Sequence, residues 1–258
     1  MTEPGNDESN PFAAPDSDLT PQNFESRSDE PVERGHHIID AGDVISTSWN
    51  IYKTDMGLVI GGVIVFNILN FAAQLPQMGC DIAATQFENH GDRSTALLFR
   101  SASLLAMVFN YACQIYLMCG VTQFLLNVVR GEASNVSDLF SGGRFFWRMA
   151  GAWIVYGIFV GIGFLACIIP GIYVALMFCT FAYPLIDDDT PGIDSLWRAK
   201  DMTKDNILQL LVIFLAAIGI NILGLLALIV GAIFTVPLTA LFLAVAYCKM
   251  TGQKTIGG

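Results

Sequence analysis

Apolar residues in this chain fall in long uninterrupted blocks. The most telling block runs from Ile207 to Cys248, 42 residues without a charged side chain, between Lys204-Asp205 and Lys249. A bilayer's hydrocarbon core is about 30 Å thick and takes about 20 apolar residues to cross as a helix. This block is twice that length and predicts a crossing, a turn and a return. The turn is expected at Leu228-Ile229-Val230-Gly231, because glycine reaches the backbone angles of a tight connection.

The same pattern predicts four earlier spans. Met56 to Leu75 is the first. Pro76 to Ser94 then reads as a polar connection turning near Gly79. Thr95 to Val129 is too long for one perpendicular crossing and too short for two, so it predicts one tilted span with a helical extension. Met149 to Ile169 and Ile172 to Ile186 are spans three and four, broken by Pro170-Gly171. Pro237 is placed to kink the last span. Gly57 with Gly61, and Gly157 with Gly161, have the G-x-x-x-G spacing that lets helices approach closely.

Between the spans the periodicity becomes amphipathic. From Ile38 to Asp55, Ala41, Val44, Ile45, Ser48, Ile51 and Tyr52 recur at three- and four-residue spacing, with Asp43, Thr47, Asn50 and Thr54 opposite. Such a helix lies in a membrane interface, with Trp49 and Tyr52 at headgroup depth. Val136, Leu139 and Phe140 form a shorter version. A third begins near Pro191, with Thr190 as its cap and Ile193, Leu196 and Trp197 as its apolar side. Trp49, Trp147 and Trp197, with Lys53 and Lys204, are the expected interfacial anchors.

The pattern also repeats. At an offset of 151, Ile45 falls on Leu196, Ser48 on Ala199, Ile51 on Met202 and Lys53 on Lys204. The implied unit is an interfacial helix, a basic residue, a span, a glycine turn near Gly79, Gly171 or Gly231, and a return span. The prediction is an all-α polytopic bundle of six spans as three hairpins, over residues 38–250. A short tail, 251–258, follows.

Composition changes the picture at the N-terminus. The net charge of −10 is concentrated there: residues 1–40 hold ten acids against Arg27 and Arg34. Residues 1–37 also contain five of the ten prolines and few large apolar residues, so they predict a disordered acidic tail. No basic and apolar leader precedes the first span, which is expected to act as its own insertion signal. Acidity gives no footprint for nucleic acid. The Lys and Arg residues after the tail gather in alternate connections, with Arg93 and Arg100 as the exceptions. That bias puts both termini in the cytoplasm.

Candidate chemistry is sparse. The six cysteines form no C-x-x-C pair, and the three histidines lie in the tail region or a loop. No phosphate loop, nucleophile elbow or H-E-x-x-H is present. Asp187-Asp188-Asp189 offers carboxylates to a cation but reads first as a solvated turn. Asn67, Asn110, Gln114 and Asn221, with Asn70, are intramembrane polar residues; they line a polar pathway or hydrogen-bond between helices. No catalytic, cofactor or metal residue is assigned. The bilayer is the expected partner, and self-association is left open.

The motifs Cys167-Ile168-Ile169-Pro170-Gly171-Ile172-Tyr173, Pro184-Leu185-Ile186-Asp187, Ser195-Leu196 through Lys204-Asp205-Asn206, Val236-Pro237-Leu238 and Ala246-Tyr247 carry a family resemblance. Together they resemble a broad group of bacterial integral membrane proteins. That group includes the membrane domain attached to some glycerophosphodiester phosphodiesterases. The resemblance spans residues 40–250 and implies a multi-span domain. In the fused enzymes the chemistry belongs to a separate soluble barrel, which has no counterpart here. The expected role is therefore a non-enzymatic bundle that organises membrane or envelope components. The alternative is a transporter or lipid-handling permease built on the repeated hairpin.

Overall fold

The computed structural model describes residues 37–227 and 230–256. It is an all-α polytopic membrane bundle. Among the described residues, six helical segments are long and apolar enough to cross a bilayer. The N-terminal segment, apart from His37, and Leu228-Ile229 of the expected turn lie outside the described residues.

Helix α1, Ala41–Thr54, is capped by Asp40, whose carboxylate accepts from the Asp43 amide at 3.0 Å. Its buried stripe is Ala41, Val44, Thr47, Ser48, Ile51 and Tyr52. That stripe packs mainly on the last helix, so protein covers the face that predicted seating among headgroups. Two assignments change as a result. Thr47 belongs to the buried face, and Tyr52 is inside while Trp49 stays half exposed.

Helices α2, Met56–Asn89, and α3, Arg93–Arg130, form the first hairpin. The expected polar connection over 76–94 is instead helix. Proline removes one backbone hydrogen bond but need not end a helix that packs against a neighbour, and α2 continues through Pro76 alongside α3. The turn falls at His90-Gly91-Asp92. There Gly91, not Gly79, takes the left-handed backbone at φ 79°. The carboxylate of Asp92 caps α3, accepting from the Thr95 amide and hydroxyl. The Thr95 and Ser94 hydroxyls hold the Asp92 carboxyl below the usual carboxylate range.

A 3-10 helix, Val136–Phe145, leads directly into α4, Phe146–Ala166. Leu139, Gly142 and Phe145 are its buried residues; Phe140 points outward, against expectation. A single extended residue, Cys167, separates α4 from α5, Ile168–Phe178. Pro170 and Gly171 therefore sit inside the first turn of α5, where proline is tolerated. Gly171 lies under the Phe164 ring. The fourth span is completed by α6, Ala182–Asp187, after a break at residues 179–181.

Helix α7, Gly192–Thr203, starts one residue later than expected, with Pro191 at its cap. Thr190 does not cap it; its hydroxyl donates to the Pro184 carbonyl at 2.7 Å. Leu196 is buried against α4 and α5, while Ile193 and Trp197 face outward. The final hairpin is α8, Ile207–Leu226, and α9, Val230–Met250. Gly231 is inside α9 and does not make the turn. Its role is contact: a side chain there would strike the Gly224 backbone of α8.

The predicted glycine pairs behave differently from their motif. Gly57, Gly61, Gly157 and Gly161 have open space where a Cβ would stand. The close approaches are at Gly62 under the Phe124 ring, Gly120 under the Leu139 carbonyl and Gly142 beside the Tyr116 carbonyl. Spacing alone does not say which helix face meets a neighbour.

Two apolar cores hold the bundle. One joins α1, α2, α3, α8 and α9 around Phe124, Phe242 and Tyr247; the other joins α4 to α7 around Met149, Leu185 and Leu196. Helix α3 contributes to both. The 151-residue offset holds at the element level: α2 begins at Met56 and α8 at Ile207, each after an amphipathic helix. The middle hairpin has the 3-10 helix in that place.

Candidate functional site

The intramembrane amides do not converge. Gln114 donates to Asn70, and Asn110 to Gln77, both at 3.4 Å. Both pairs fasten α3 to α2. Asn221 donates to the Thr239 hydroxyl at 3.0 Å, fastening α8 to α9. Asn67 turns back on its own helix, donating to the Val63 carbonyl at 2.7 Å. Toward the turn the first hairpin continues with polar rungs. Ser103 donates to Asp81 at 2.6 Å, Arg100 pairs with Glu88 at 3.4 Å, and Phe87 stacks on Phe99.

At 1.5 Å per residue α2 is about 51 Å long and α8 about 30 Å. The first hairpin therefore outruns the last by about 20 Å. Its outer part carries Asp81, Glu88, Asp92, Arg93 and Arg100. It also exposes Ile82, Leu97, Leu98, Leu104 and Leu105.

The opposite end of the bundle is closed by charge. Arg130, the last residue of α3, bonds Asp187 at 2.5 Å. Tyr247 and Gln253 both donate to the second oxygen of that carboxylate at 2.9 Å. Arg130 also donates to Gln253 at 3.0 Å. Asp188 pairs with Arg198 at 3.0 Å, and Asp189 with Arg148 at 2.7 Å. Arginines thus neutralise the acidic turn, and Asp187 is buried where a solvated turn was expected. Among the described residues no group of three or more metal-ligating side chains occurs.

This end also brings residues 37–43 together with residues 249–256. The His37 amide donates to the Met250 carbonyl, and the Ile39 amide to the Asn206 side chain. Lys249 bonds Asp43 at 2.5 Å. The Ile256 amide donates to the Val129 carbonyl, so the short tail is tied to the bundle as far as Ile256. Sequence reasoning missed Gln253 because it lies in that tail. The nearest signal was the acidic turn itself, whose charges ask for partners.

The anchors all keep an exposed face. Trp147 is 82% exposed, and Trp49 and Trp197 each 47%. Lys53 lies 6.0 Å over Trp49, and Lys200 lies 5.1 Å over Trp197. Lys204 pairs with Asp201 at 3.8 Å.

Apolar hollows open on the bundle among the described residues. One of about 310 Å3 lies between α2, α3, α8 and α9 and includes Asn67, Thr122 and Thr239. Another of about 390 Å3 lies between α2 and α9. A third, of about 590 Å3, runs between α1 and the α8–α9 hairpin.

The class is therefore a multi-pass membrane bundle with three hairpins, a charge-clamped end and lateral apolar hollows. The chain is similar to uncharacterized proteins of Mycobacterium tuberculosis (strain H37Rv) and Mycobacterium bovis. Each is 25% identical over 234 residues, covering 83% of this chain and 70% of the relative. No protein-family model matches the chain, and no solved structure matches it.

Proposed function

We propose that the protein is a non-enzymatic bundle of the bacterial inner membrane that organises membrane or envelope components. One observation carries the reading. Asn110, Gln114 and Asn221 each fasten one helix to its neighbour, and Asn67 bonds its own helix. A pathway for solutes would want them on one common wet surface. The clamp at Asp187 adds a second fixed end.

Basic residues support the orientation. Lys53, Arg130, Arg144, Arg148, Arg198, Lys200, Lys204, Lys249 and Lys254 belong to segments at the clamped end, and Arg93 and Arg100 to the other. By the positive-inside bias the clamped end is cytoplasmic. The long hairpin then reaches past the opposite surface, where its ion-paired rungs stand among headgroups and water. Its exposed leucines give it the surface for an envelope partner.

The amide pairs supply the test. Replacing Asn70 and Gln114 by alanine, singly and together, is expected to weaken resistance to unfolding in detergent. The coupling between the two should be about 0.6 kcal/mol, the usual scale for such bonds in membranes. Proteoliposomes holding wild type or either variant should release trapped solutes no faster than empty ones. A wild-type flux that falls in these variants would instead establish the permease alternative.

A further inference from the structure

The outer half of α3 has two faces of opposite character. Ala96, Ser103 and Asn110 recur at every seventh residue and are buried, and Ser103 and Asn110 bond Asp81 and Gln77 of α2. Leu98 and Leu105 stand two residues on from Ala96 and Ser103, about 200° round the helix. They are 69% and 75% exposed. Ser101 and Val108 continue their face. Leu98, Ser101, Leu105 and Val108 thus follow alternating three- and four-residue steps, the a and d rows of a heptad. Leu97 and Leu104 flank them at g, and Ala102 and Phe109 at e.

This face lies beyond the hydrocarbon. About 20 helical residues cross it, a length that α2 completes at Leu75. The Asn110–Gln77 rung falls just past that point, so Leu98 and Leu105 stand farther out, among headgroups and water. A contiguous row of exposed leucines there marks an interaction surface.

The spacing selects a helix as the partner, because a heptad seam takes the knobs of a helix lying alongside. Charge then selects which helix. Seams between different chains are matched by charges at e and g. Here the a, d, e and g rows hold no charge from Leu97 to Phe109, so they offer a foreign chain nothing to match. Arg100, the one charged residue within that stretch, turns back to Glu88 of its own hairpin at 3.4 Å. Copies of one membrane protein share an orientation and a depth, so two α3 helices meet parallel and in register. Each residue then faces its own copy. A charged seam would forbid that arrangement, and this seam permits it.

We propose that the outer half of α3 pairs with α3 of a second copy, as a parallel two-stranded coiled coil centred on Leu98 and Leu105. The pairing names a partner for the exposed leucines of the organising role above, and it rests on that reading for their place outside the hydrocarbon. The role itself is tested separately by solute flux, which does not depend on pairing.

The test is a cysteine scan of residues 97–108 in a cysteine-free full-length chain, oxidised in native membranes. Cross-linked dimer should peak at Leu98→Cys, Ser101→Cys, Leu105→Cys and Val108→Cys. It should fall to background at Phe99→Cys and Ser103→Cys, which face α2. Native mass spectrometry of the unaltered chain in detergent should show a dimer. Leu98→Glu with Leu105→Glu sets like charges against each other and should raise its dissociation constant at least about tenfold. Both side chains are exposed in a single copy, so helicity by circular dichroism should not change. A scan without the heptad period overturns the proposal and leaves the face to lipid or to a different protein. So does a dimer that the two glutamates leave undiminished.

Discussion

Replacing Asp187 by alanine is expected to destabilise the bundle by about 3 kcal/mol, more than any other single charge change at that end. The reason is desolvation. The Asp187 side chain is 7% exposed and that of Arg130 21%, so each charge has been taken largely out of water. Removing one partner of such a pair leaves the other charge uncompensated, at a cost of about 3–5 kcal/mol when burial is complete. The lower end of that range suits the partial exposure of Arg130. Tyr247 and Gln253 lose an acceptor in the same step. Asp189→Ala removes pairs with Arg148 and Arg144 whose side chains are about half exposed or more, and exposed pairs contribute about 1 kcal/mol or less. Joint replacement of Arg130 by methionine and Asp187 by leucine should recover only the part due to the uncompensated charge, because Tyr247 and Gln253 still lack their acceptor. Unfolding in detergent, followed by circular dichroism, measures all of these. Equal effects of Asp187→Ala and Asp189→Ala would show that the clamp is not the closing element of this end.

The second large effect separates two kinds of glycine. Gly120→Ala is expected to cost about 3 kcal/mol or more, because its Cβ would overlap the Leu139 carbonyl. Backbone, unlike a side-chain end, has no rotamer by which to move away. The 3-10 helix would have to lift off α3, taking the neighbouring contact of Gly142 with the Tyr116 carbonyl with it. Gly61→Ala meets open space and replaces the weaker helix former, so it should be neutral or stabilising by up to about 1 kcal/mol. The same unfolding assay reads both. A destabilising Gly61→Ala beside a harmless Gly120→Ala would mean that α2 packs by its G-x-x-x-G face after all.

These glycines show what the amino-acid sequence could and could not convey. The number and class of the spans were legible because lipid selects for long apolar blocks, and 207–248 could hardly be anything else. Helix lengths were not. Hydropathy reports which residues suit hydrocarbon, and the helix from Pro76 to Asn89 continues where hydropathy falls. Its neighbour α3 supports it through Asp81–Ser103 and the Phe87–Phe99 stack. The turns expected at Gly79 and at Pro170-Gly171 were misplaced for a related reason. Glycine marks both tight connections and close helix contacts, and Gly171 and Gly231 serve the second purpose.

The candidate polar residues were legible as a set, and their pairing was not. Asn110 meets Gln77 across 33 positions, and Arg130 meets Asp187 across 57. Local periodicity carries no information at that range. Gln253 was hidden further because it follows the last span, in a segment whose composition gives no sign of packing.

The central claim is a six-span bundle whose clamped end faces the cytoplasm and whose long hairpin reaches the other side. Cysteine labelling tests it most directly. In a cysteine-free background, His90→Cys reports on the hairpin turn and Lys254→Cys on the clamped end. An impermeant maleimide should label the first in intact spheroplasts, and the second only after the membrane is disrupted. Labelling of both from one side would contradict the even number of spans, and labelling of Lys254→Cys alone in intact spheroplasts would invert the bundle.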